Sequence, residues 1–82
     1  MEGQTPQPYR VSFRQLQSGE QTILLDLQDC PEARVERLKS YLRSKRIPYR
    51  EAPGGELELL RGYHPYEIPG ILRIISYFLA EP

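Results

Sequence analysis

The sequence predicts an α+β fold: a two-layer sandwich of order β-β-α-β-β-α, with a four-stranded, mainly antiparallel sheet and two helices on one face. Three observations carry this. Apolar and polar residues alternate in two early runs and again at Leu57 and Leu59, the period of half-buried strands. Val35, Leu38 and Leu42 recur at helical spacing. The most apolar stretch, 71–79, breaks alternation and suits a turn of 100° per residue.

Residues 1–8 carry two prolines, two glutamines and no large apolar side chain after Met1, so they read as a flexible tail before a single domain, 9–82. From Tyr9 to Gln17, Tyr9, Val11 and Phe13 point one way and Arg10, Ser12 and Arg14 the other. Ser18-Gly19-Glu20 turns the chain, and Gln21 to Gln28 alternates again through Ile23, Leu25 and Leu27. A hairpin follows from this. Asp29-Cys30-Pro31-Glu32 reads as a helix start, with Asp29 as cap and Glu32 at the third helical position closing a capping box. Pro48 ends that helix near Arg46 or Ile47. Residues 47–52 and 56–61 are strands around the turn Pro53-Gly54-Gly55, and 62–70 reads as a loop. In the last helix, Ile71, Leu72, Ile74, Ile75, Phe78 and Leu79 share one face, opposite Arg73, Ser76 and Tyr77. Hairpins favour antiparallel neighbours, and the outer sheet face is left with Arg10, Ser12, Arg14, Asp26, Glu56 and Glu58.

Composition narrows the function. The 82 residues balance eleven cations against eleven acids, with 39% apolar and 27% charged residues, as in soluble globular domains. No apolar run approaches the ~20 residues of a bilayer span, and the first residues lack a signal peptide's basic start and apolar middle. The expectation is a cytoplasmic protein without membrane contact. One cysteine and one histidine supply neither a disulfide nor a metal-ligand set, and no motif calls for a cofactor. No nucleophile–base–acid constellation or phosphate-cradling glycine loop is present, which points away from catalysis.

Charge is uneven. Residues 34–50 hold Arg34, Arg37, Lys39, Arg43, Lys45, Arg46 and Arg50 against Glu36 alone. Lys39, Arg43 and Arg46 stack at i, i+4 and i+7 along one flank of the first helix. Such a stripe binds an acidic protein surface or phosphates. Tyr63, His64 and Tyr66, stiffened by neighbouring prolines, form a second candidate ridge for a partner. The leading expectation is a small non-enzymatic, regulatory module. It engages a larger protein through the basic helix face, with Arg34, Lys39, Arg43, Arg46, Tyr63, His64 and Tyr66 as binding residues. A phosphate or nucleic-acid binder using the same stripe is the alternative, less favoured for a neutral chain without tryptophan. Open strand edges also allow a homodimer.

Cys30, at the strand–helix junction, is the candidate nucleophile, because free N–H groups and the dipole of a helix start favour a thiolate. Leu25-Asp26, then Cys30-Pro31-Glu32 opening a basic helix, resembles the TusA/SirA-like sulfur-carrier proteins, as does Glu67-Ile68-Pro69-Gly70 before an apolar helix. The resemblance implies a persulfide carried on Cys30 and handed to a partner. It departs from the family's Cys-Pro-x-Pro motif at Ala33, and an N-terminal hairpin stands in place of the family's closing strand pair.

Overall fold

The computed structural model describes residues 8–80. The proposed tail falls on 1–8, so all of it but Pro8 lies outside the described residues. The elements are β1 (Arg10–Gln15), β2 (Gln21–Asp26), α1 (Glu32–Ser44), β3 (Tyr49–Ala52), β4 (Glu56–Tyr63), a 3-10 turn (Pro65–Glu67) and α2 (Ile68–Leu79). The strands form one antiparallel sheet of order β1-β2-β4-β3. This is the small α+β architecture the periodicities predict.

The alternation in β2 and β4 decides which face is buried. Ile23, Leu25, Leu57 and Leu59 turn to one side, where they meet Leu38 and Leu42 of α1 and Ile71, Ile75 and Leu79 of α2. Both helices therefore cover the same face. The opposite face carries the polar set the alternation names, with one refinement: Glu58 is only 4% exposed, lying under the side chains of Arg14 and Arg50.

Three local readings need correction. Helix α1 begins at Glu32 with Pro31 as its N-cap, and no side chain caps it, so the Asp29–Glu32 box does not form. A residue before proline is held away from helical angles, and Cys30 spends its N–H on the Leu27 carbonyl at 3.0 Å. The helix can start only beyond that turn. At the other end, Arg46 N–H reaches the Arg43 carbonyl at 3.1 Å and Ile47 N–H the Leu42 carbonyl at 2.9 Å. This paired closure needs a left-handed residue, and Arg46 supplies it at φ 58°. Arg46 thus lies past the helix rather than on its stripe.

The third correction concerns 62–70. Strand β4 continues to Tyr63, because two extra residues bulge between the pairs Ile23–Leu59 and Gln21–Tyr63. The bulge returns the Tyr63 ring to the core, 2% exposed, with the Arg61 guanidinium 4.6 Å from its centroid. After it, His64 N–H donates to the Glu67 carboxylate at 3.1 Å across the 3-10 turn, and α2 follows at once with Pro69 in its first turn.

Candidate functional site

Helical geometry sets Lys39 and Arg43 on the flank of α1 that faces β3, and there the fold uses them. Lys39 Nζ lies 2.8 Å from Glu51 Oε1 and 3.1 Å from Glu36 Oε2, with its side chain 12% exposed. The hydrogen bond to Glu51 holds its ammonium above the ordinary lysine range, against the opposing effect of burial. Arg43 donates to the Tyr49 hydroxyl at 2.7 Å and to Ser40 Oγ at 3.3 Å. These contacts lash β3 to α1. The stripe read from the sequence is therefore not a free cationic row: Lys39 and Arg43 are engaged and Arg46 lies outside the helix. Arg34 is half-buried, and its charge acts on the Cys30 thiol.

The open cations lie one turn around the helical layer. Arg37, Ser40 and Ser44 face outward on α1, and Arg73 and Tyr77 do so on α2. Between the helices runs an open groove of about 520 Å³, lined by Glu36, Arg37, Ser40, Tyr41, Ser44 and Phe78. Its apolar wall is a row of rings. Tyr41 and Phe78 have centroids 5.2 Å apart, and Tyr77 meets Phe78 edge-on at 5.2 Å. Lys45 Nζ stands 6.0 Å from the Tyr41 centroid, and Tyr77 is 57% exposed. Sequence reasoning placed Tyr77 on the outer side of α2. It missed the groove, which needs two helices packed side by side.

The Tyr63–Tyr66 ridge divides. Tyr63 is core, and burial pushes its phenol above the ordinary range, with the Arg61 guanidinium partly opposing. Its hydroxyl, like Thr22 Oγ1, is buried without a hydrogen-bond partner among the described residues. His64 and Tyr66 stay outside, stacked 5.3 Å apart at 4°, with His64 Nε2 3.3 Å from Glu20 Oε2 and Tyr66 79% exposed.

Cys30 lies at the opposite end of the sheet from His64, separated by the six residues of β2, roughly 20 Å of strand. The two do not form a catalytic pair. Cys30 lines a cleft of about 300 Å³ together with Leu27, Val35, Lys39 and Ala52, beside the exposed carboxylates of Glu32, Glu36, Glu51 and Glu56. Burial pushes the thiol above its ordinary range, and Arg34 only partly offsets this. The helix-start argument for a thiolate fails because Cys30 precedes the cap. Alkylation of Cys30 by iodoacetamide at neutral pH is expected to be slower than that of a free cysteine peptide. It should still be accelerating at pH values where the free peptide's rate has levelled off. A neutral-pH rate matching or exceeding the free peptide's contradicts this environment.

Among the described residues, no three His, Cys, Asp or Glu side chains converge as metal ligands would, and no helix is long and apolar enough to cross a membrane. No family model, curated protein or solved structure matches the chain. The sulfur-carrier resemblance thus rests on its two short motifs alone.

Proposed function

We propose that the protein is a non-enzymatic binding module that engages an acidic surface of a larger protein through the outer face of its helical layer. The observation that carries this is the ring row Tyr41–Phe78–Tyr77, left at the surface of the α1–α2 seam and flanked by Arg37, Lys45 and Arg73. Tyrosine and arginine side by side on a groove are the residue types that dominate binding energy when buried by a partner. The cations give long-range attraction for acid and the rings give desolvated area. Glu36 is the one acid in the groove lining, and Lys39 already neutralises it.

The sulfur-carrier reading draws less support, since a raised thiol pKa in an acid-rimmed cleft opposes the nucleophile it needs. The phosphate or nucleic-acid reading draws less as well. Two cations of the sequence stripe are paired or hydrogen-bonded internally, and the open ones surround aromatic rings rather than a phosphate-sized nest.

A photo-crosslinking residue at Ser40, in the groove, tests the proposal against the same residue at Leu60, exposed on the central strand β4. A discrete adduct with one protein in native lysate is expected from Ser40 and not from Leu60. Arg37→Glu or Tyr77→Ala should weaken that complex about tenfold or more, and raised salt should weaken it further. Equal labelling from both positions, or an adduct indifferent to Arg37→Glu, overturns the reading.

A further inference from the structure

The two sheet edges are unlike. The β3 edge is four residues long, bounded by Pro48 and Pro53, and held to α1 through Tyr49 and Glu51. Such an edge is closed to further pairing. Strand β1 is six residues, contains no proline or glycine, and pairs only on its β2 side. Just past its end, Leu16 N–H donates to the Glu20 carbonyl. Antiparallel ladders alternate, so Arg10, Ser12 and Arg14 spend their backbone groups on β2, and Val11, Phe13 and Gln15 turn theirs outward.

The side chains along this edge are sorted by face. Phe13 lies opposite Ile23 on the helical side, yet is 44% exposed. Arg10 and Arg14 occupy the open face; Arg14 touches Glu58 at 3.2 Å but keeps 62% of its side chain exposed. A second copy of β1 added along this edge brings four guanidiniums onto one face with no acid in either strand. Self-pairing is therefore opposed by charge. An acidic strand is not.

We propose that the β1 edge takes up an extended segment of a partner protein as a fifth strand. That segment would carry acidic residues at alternate positions against Arg10 and Arg14, and apolar residues between them against Phe13. Outward backbone groups supply affinity, and the two side-chain faces supply register and choice of partner. This site is separate from the helical groove, and neither proposal depends on the other.

The probe is a short capped peptide alternating Glu and Val, with a Lys/Val peptide and a block-ordered Glu/Val peptide as controls. Amide hydrogen exchange resolved by residue reads the result. With the alternating Glu peptide, Val11, Phe13 and Gln15 should exchange at least about tenfold more slowly. Ser12 and Arg14, already bonded to β2, should change little. Arg10→Glu combined with Arg14→Gln should weaken the Glu peptide about tenfold and admit the Lys peptide, which also shows that the variant is folded. Protection absent, equal with all three peptides, or centred on the helices overturns the proposal. So does protection of Val11, Phe13 and Gln15 in a dimer of the chain without peptide, which makes a second copy the occupant.

Discussion

Leu59→Ala is expected to destabilise the domain by about 2–5 kcal/mol, while Leu60→Ala, one residue on, changes it by no more than about 0.5 kcal/mol. Leu59 sits in β4, a central strand, opposite Ile23 on one side and Tyr49 on the other, with no exposed surface. Its truncation removes burial and leaves a cavity that the flanking strands, themselves paired, cannot close. Leu60 points to the open sheet face and is 47% exposed. An 82-residue domain holds roughly 4–12 kcal/mol in total, so the first variant forfeits a large share of it. Thermal or urea unfolding measures this, each kcal/mol corresponding to about 4–8 °C in melting temperature. A Leu59→Ala loss below about 1 kcal/mol would contradict a single core beneath both helices.

That contrast also marks what the sequence makes legible. Period-two alternation through Ile23, Leu25, Leu57 and Leu59, and helical spacing through Leu38, Leu42, Ile71, Ile75 and Leu79, are set by burial. Burial is a property each segment carries in its own pattern. The element order and the covered face follow from it. What the pattern does not carry is how one segment answers another. Lys39 and Arg43 look free on a helical wheel; their partners Glu51 and Tyr49 lie on β3, reached only once the sheet forms. Tyr63 looks like a loop residue because Gly62 and Pro65 flank it, yet the bulge in β4 carries it into the core. The Asp29–Glu32 spacing matches a capping box, but the backbone restriction that Pro31 imposes on Cys30 outweighs it. The groove at Tyr41 and Phe78 comes from residues 37 apart in the chain, so no local window contains it.

Substitutions at Glu58 should separate by sign rather than by size: Glu58→Lys is expected to cost at least about 3 kcal/mol, and Glu58→Leu within about 1 kcal/mol of neutral. The carboxylate is 5% exposed and takes Arg50 Nη2 at 2.7 Å and Arg14 Nη1 at 3.2 Å, whereas both arginine side chains are 62% exposed. The asymmetry decides the outcome. Removing the carboxylate leaves no cation stranded, since each guanidinium can turn into water; the cost of losing one charge-assisted hydrogen bond, from Arg50, and one ion pair, with Arg14, is offset by no longer desolvating an anion. A leucine there would pack beside half-buried Leu24, its cross-strand neighbour on the same face. A lysine would bury a third cation between two others, with no acid to receive it. Glu58→Gln should fall between, at about 1–2 kcal/mol, because the amide keeps the shape and one acceptor but loses the charge. Denaturant unfolding of the three variants gives the ranking directly. If Glu58→Leu proves as damaging as Glu58→Lys, the ion pair is holding the sheet face together rather than tolerating its own burial, and Arg14 is not available to a fifth strand.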